Sequence, residues 1–183
     1  MPALSKKRNT LAFYGAFCLF LSTVEFLIPK PLPFFRLGLA NLPILLALAQ
    51  ARPLFILQLV GLKIVGQALV NGTLFSYIFV FSTAGSLASG LAMLAASRIP
   101  GRYISLIGIS ILGALASNLV QILLARYFLL GEGAWLIGPP FLGLGILTGC
   151  VLGYSATKIA PHLSFAFCKE PEELLDSEET TFH

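Results

Sequence analysis

Lys63, Gln67 and Asn71 share one face of an otherwise apolar stretch, KIVGQALVN, at helical spacing. A lysine near the centre of a membrane span costs about 2.5 to 3.5 kcal/mol on insertion scales, so it normally faces a bundle interior, a cavity or a partner. Binding is the default chemistry for such a residue. The competing reading is a lysine that snorkels to the interface or pairs with Glu25 as a structural bridge. Asn118, Gln121 and Arg126 climb a second apolar stretch, and Arg36 and Asn41 open a third. A shared pocket would gain cations from Arg36, Lys63 and Arg126, and amides from Asn41, Gln67, Asn71, Asn118 and Gln121. Guanidinium groups pair bidentately with carboxylate or phosphate, so a small anionic or polar, amide-like solute fits best. Phe34, Phe35, Phe75, Tyr77 and Trp135 could stack on a planar ring, although in a membrane chain such residues more often face lipid or core.

Catalysis is poorly provided for. The only aspartate is Asp176 and the only histidines are His162 and His183, all at or beyond the end of the last apolar stretch. Diphosphate chemistry assisted by Mg²⁺ needs clustered carboxylates, and the body of the chain has none. No GxxxxGK[ST] phosphate-binding loop occurs either. The expectation is a chain that is not an enzyme, holds no cofactor or metal, and draws any energy for uphill transport from a partner or from ion coupling.

The elements that position these residues follow from composition. The 183 residues are 57% hydrophobic and 11% charged, too little polar surface to cover a soluble globule. The sequence therefore predicts an all-α integral membrane protein, a bundle of six transmembrane helices in contact with lipid. The spans are read as about Thr10 to Ile28, Leu37 to Ala49, Pro53 to Val70, Leu74 to Ala96, Tyr103 to Leu130 and Trp135 to Thr157. Pro29 to Pro33 end the first span in an extended connector. The second is short and interrupted by Pro43, as in a helix partly unwound or tilted into a cavity. Ala84, Ala88, Ala92 and Ala96 form one small-residue stripe, and Gly145, Gly149 and Gly153 another; both predict close helix packing. Ala12 and Ala16 form a third such pair, able to seat a helix of this bundle or of a partner. Residues 1–9 make a basic terminus, 10–160 the membrane domain, and 161–183 an acidic, disordered tail.

Lys and Arg total 12 against 8 acids, six of them in that tail. On the side of the termini lie Lys6, Lys7, Arg8, Arg52, Arg98, Arg102, Lys158 and Lys169, against Lys30, Arg36 and Arg126 opposite. The positive-inside rule makes both termini cytoplasmic. The polar residues then cluster in the outer half of the bundle, as an outward-opening pocket requires. Cys18, Cys150 and Cys168 show neither zinc spacing nor a disulfide framework. The first span is long and lacks an Ala-x-Ala site, so no cleaved signal peptide is expected. Basic residues are not interleaved with exposed aromatics, which argues against nucleic acid as a partner.

The run Arg36-Leu37-Gly38-Leu39-Ala40-Asn41 resembles the Gx transporter family, also catalogued as heptaprenyl diphosphate synthase component I. The likeness continues through the third span to the Ser105–Gln121 region, SLIGISILGALASNLVQ, and to Pro139-Pro140 with the glycine-rich last span. That family looks related to the substrate-binding S components of energy-coupling factor transporters. The resemblance implies a multi-pass protein of the bacterial cytoplasmic membrane with six helices and an outward-side pocket. It also implies a first-helix surface, here Ala12 and Ala16, that docks on a transmembrane coupling subunit driven by two ATPases. The expected function is solute capture for such an importer, with a vitamin-like or isoprenoid-precursor-like cargo. The alternatives are a noncatalytic membrane component associated with a polyprenyl diphosphate synthase, and a structural subunit of a membrane redox or flavin-handling complex.

Overall fold

The computed structural model describes the backbone of residues 2–27, 38–48, 53–70, 72–73, 75–100 and 103–168, and side chains within these except at 2–9, 26 and 162–168. Arg36, Asn71, the connector from Pro29 to Pro33 and the acidic residues of the tail lie outside the described residues. Six α-helices follow one another among those described: α1 (Pro2–Leu27), α2 (Leu42–Leu48), α3 (Pro53–Val70), α4 (Tyr77–Ala96), α5 (Leu106–Ala125) and α6 (Ala134–Cys168). The chain is thus all-helical over these residues. Among the described residues, three stretches are long and apolar enough to cross a membrane: Pro53–Val70, Tyr77–Ala96 and the run Leu106–Pro161, which holds α5 and most of α6. Thr10–Glu25 and Leu39–Leu48 are apolar but shorter.

Helix ends differ from the sequence expectation where no sharp stop signal exists. α1 begins at Pro2, ahead of the basic residues, and α6 continues past Lys158 to Cys168. α5 stops at Ala125 and a wider π turn, Arg126–Leu130, completes the climb. Clear signals gave clear ends: α3 starts at Pro53, where the missing N–H costs nothing, and Ser76 and Ser105 cap α4 and α5 with their hydroxyl oxygens.

α2 is the hub. It contacts all five other helices, and Leu42 through Ala47 are buried. Seven residues span roughly 10 Å at 1.5 Å per residue, a third of a bilayer core of about 30 Å. Irregular backbone among apolar helices persists only where protein encloses it. Here a 3₁₀ turn, Leu39–Asn41, precedes α2, and Gly38 adopts φ +80°, a left-handed conformation that favours glycine. The Gly38 N–H donates to Glu25 Oε1 at 3.1 Å, and the Asn41 N–H to the Gly38 carbonyl at 2.8 Å. A carboxylate on α1 thereby satisfies the start of the broken helix.

Glycines set the approach of the other helices. Gly15 meets Leu62 while Leu19 meets Gly66, so contacts advance together and α1 runs parallel to α3. Gly145 faces Asn118, Gly149 faces Ile111 and Gly153 faces Ile107, so α5 and α6 form an antiparallel hairpin. The glycine stripe of α6 packs as expected. In the alanine stripe of α4, Ala96 is buried and Ala84, Ala88 and Ala92 are half-buried, while the face one position round, with Ser82, Gly85, Ser86, Ser89, Gly90 and Met93, is buried throughout. Gly85 approaches Gln121 and Ser117, and Gly113 approaches Met93 and Ser89. Glycine and serine permit closer backbones than alanine flanked by leucine.

These contacts make opposite predictions for two glycines. A Cβ at Gly153 would lie 2.5 Å from the Ile107 Cα, whereas one at exposed Gly61 meets nothing within 4 Å. Gly153→Ala should cost about 1 to 3 kcal/mol through forced backbone movement. Gly61→Ala should be neutral or stabilise by up to about 1 kcal/mol. The monodisperse fraction after heating in detergent reads both; a Gly153→Ala protein as heat-resistant as wild type contradicts this packing.

Candidate functional site

The polar residues converge on one enclosed cavity. Its walls come from Glu25 on α1, Gly38, Ala40 and Asn41 ahead of α2, Lys63 and Gln67 on α3, Ser86 and Met93 on α4, Ser110, Ser117 and Asn118 on α5, and Thr148 and Leu152 on α6. Lys63 is only 4% exposed. Its Nζ donates to Asn41 Oδ1, and Asn41 Nδ2 in turn donates to Ser89 Oγ at 3.1 Å. One side-chain amide therefore links α3 and α4 to the turn that opens α2. A buried ammonium without such acceptors would incur a desolvation penalty of several kcal/mol. Glu25 lines the same cavity, with its Oε1 engaged by the Gly38 N–H.

Free space in the cavity is about 20 Å³, enough for a water or two. Sites for drug-sized ligands measure roughly 300 to 1,000 Å³. This conformation is closed to anything larger than a few atoms. Further polar atoms are used internally: Asn118 Nδ2 donates to the Phe141 carbonyl at 2.9 Å, and Gln121 Nε2 to Ser117 Oγ at 3.2 Å. Among the described residues no donor reaches Gln67 Oε1 or Gln121 Oε1, although both residues are buried.

Of the residues expected at the site, Asn41, Lys63, Gln67 and Asn118 line the cavity. Gln121 lies one layer behind, fully buried against Ser117 and Gly85. Arg126 is elsewhere. It forms an ion pair with Glu132 at 2.8 Å on the exposed turn after α5, its guanidinium 5.1 Å from the Trp135 ring centre. It stands five residues past Gln121, about 140° round a 3.6-residue helix, where the π turn begins. Arg36 and Asn71 fall outside the described residues. Ala12 and Ala16 sit exposed on α1, while neighbouring Gly15 is buried against Leu62. Phe75, Tyr77 and Trp135 are exposed and none lines the cavity.

The hydroxyls escaped the sequence reading. Ser86, Ser110, Ser117 and Thr148 line the cavity, and Ser89 holds Asn41. A signal existed: Ser82, Ser86 and Ser89 recur at i, i+4 and i+7, and Ser110 and Ser117 at i and i+7. They also correct the expected restriction of polarity to one half of the bundle. Met93 near the end of α4 and Ser110 in the first turns of α5 carry the cavity lining toward the α4–α5 loop.

An all-helical chain with bilayer-length apolar stretches and a charged side chain sealed between its helices is a membrane protein. The family match covers residues 14–159, a range that includes every cavity-lining residue. The chain belongs to the heptaprenyl diphosphate synthase component I family. No curated protein and no solved structure matched it.

Two substitutions separate the interior network from the exposed pair. Asn41→Leu removes an acceptor from Lys63 and a donor from Ser89, and should cost about 1 to 3 kcal/mol or more of stability. Arg126→Gln breaks an exposed pair worth under about 1 kcal/mol. Thermal unfolding in one detergent should rank them in that order; equal losses would place Arg126 in the structural network and contradict the geometry.

Proposed function

We propose that this chain is the membrane-embedded solute-binding component of an importer, of the energy-coupling factor S-component type, for a small polar or anionic solute. The observation that carries the reading is the burial of Lys63 in a cavity lined from α1, α3, α4, α5, α6 and the turn before α2. A packing role needs no such convergence. In this reading the six helices all serve as spans, α2 crossing with the help of its 3₁₀ turn, and both termini face the cytoplasm as the basic residues indicate. The chain has no catalytic role of its own. Ala12 and Ala16, exposed on α1, seat a transmembrane coupling subunit whose ATPases supply the energy. Because the closed cavity holds only a water or two, solute enters when Asn41 releases Lys63 and the bundle opens.

Native mass spectrometry of the detergent-purified protein tests this reading. Wild type should retain a stoichiometric small molecule, and Lys63→Ala should lose it. Ala12→Leu with Ala16→Leu should keep the solute and lose the coupling subunit. A protein that never carries a solute, indistinguishable from Lys63→Ala, removes the proposal.

The family description favours a second reading, in which the chain is a noncatalytic membrane partner of a polyprenyl diphosphate synthase. Purified protein added to a soluble synthase should then alter its rate or product length. An unchanged product profile at saturating protein ends that reading.

A further inference from the structure

A groove on the outer face of the bundle is far roomier than the polar cavity, with about 470 Å³ of free space against about 20 Å³. It follows the seam where α4 meets α5. Ala92, Ala95 and Ala96 from α4, Leu112 and Ala116 from α5 and Leu142 from α6 line it, and every residue along it is alanine, leucine or isoleucine. Lipid tails are as apolar as leucine, so a groove of this composition on a membrane protein suits a hydrocarbon chain. From Ala92 toward Ile99 it runs about 10 Å at 1.5 Å per residue, most of the roughly 15 Å that one leaflet contributes to a bilayer core. Charge waits at its end. Ile99 closes the groove in the turn between α4 and α5, and also lines a second recess of about 410 Å³ to which Ser97 and Ser105 bring hydroxyls. Arg98 lies in that turn, exposed, its backbone N–H bonded to the carbonyl of groove-lining Ala95 at 3.2 Å. The two described carboxylates are engaged elsewhere, Glu132 by Arg126 and Glu25 by the Gly38 N–H. Among the described residues, the Arg98 guanidinium therefore has no acidic partner.

We propose that the α4–α5 seam is a specific site for one anionic phospholipid, with an acyl chain in the groove and the phosphate at Arg98. An apolar chain carrying an anion at one end matches both features at once, and guanidinium is suited to phosphate. In the topology proposed above, the α4–α5 loop faces the cytoplasm, where anionic lipids attract basic side chains. The proposal takes that topology from the importer reading and nothing about its solute, so its failure leaves solute capture standing. The groove also backs onto the cavity wall. Ala92 adjoins Met93 and Ala116 adjoins Ser117, and both neighbours line the cavity from the same two helices. A chain in the seam thus supports the α4–α5 contact from its outer side.

The test is native mass spectrometry of the full-length protein, delipidated in detergent and then given equimolar phosphatidylglycerol and phosphatidylcholine with the same acyl chains. Wild type should keep one phosphatidylglycerol, about fivefold in preference to phosphatidylcholine, the factor expected of one arginine beside an anionic lipid. Arg98→Gln should cut that preference at least about twofold, whereas Arg126→Gln, at the far end of α5, should leave it unchanged. Ala116→Phe, which fills the groove, should lower retention of both lipids. A wild type that holds the two lipids equally overturns the proposal, as does an Arg98→Gln protein with the full preference. Displacement of phosphatidylglycerol by equimolar farnesyl diphosphate overturns it too, because the occupant is then an isoprenoid. A lipid-free dimer does the same, since the seam is then a contact between copies. The wild-type comparisons decide whichever variants fold.

Discussion

A charged ammonium sealed among apolar helices is the constraint on which this structure depends. Lys63 is withdrawn from bulk water into a cavity with room for a water or two, so most of its charge must be met by protein. Asn41 meets part of it, and can do so only because the chain before α2 turns inward at Gly38 instead of continuing as helix. The turn then leaves backbone donors of its own, one of which the Glu25 carboxylate accepts. Charge, broken helix and carboxylate form one chain of obligations running from α3 through the start of α2 to α1. Ser89 ties the same amide to α4.

The second half of the molecule answers a different requirement. α4, α5 and α6 must stand close enough for short hydroxyl and amide side chains to reach across, and in a lipid environment apolar burial between helices supplies little of that attraction. Gly85, Gly113, Gly145, Gly149 and Gly153 lower the contact surface where the neighbours press in, so Ser117, Gln121 and Asn118 find partners on their own or the adjoining helix. Large apolar residues such as Leu91, Leu112, Leu119 and Leu147 point outward. The close contacts between α4, α5 and α6 are accordingly small or polar, with these leucines on the outside.

Much of this was legible in the sequence, in proportion to how local its cause was. The extent of α3, the brevity of α2 and the glycine stripe of α6 each follow from a residue's own backbone or size, and each was read correctly. That Asn41, Lys63, Gln67 and Asn118 gather was also readable, because a polar residue in an apolar helix has few places to go. Arg126 was misplaced because sharing one half of a helix with Asn118 and Gln121 is not sharing their face, and because a carboxylate six residues on offers it an exposed partner. The serines of α4 and α5 were overlooked because one hydroxyl is unremarkable in a helix; only its recurrence carries information. The alanines of α4 border its buried face, and the adjacent glycines and serines, whose spacing is less regular, fill it.

The hydrogen bond from Lys63 to Asn41 also bears on how tightly any anion could be held. Asn41 occupies one of the three donor positions of the ammonium, which makes it a resident competitor there. An anion taking that position would exchange one acceptor for another, and the affinity it showed would be the difference between two interactions. Each 1.4 kcal/mol by which the internal amide is preferred weakens the apparent affinity about tenfold. In the solute-binding reading, the same substitution of partners returns an acceptor to the ammonium when a solute departs, so release would be provided for as well as capture.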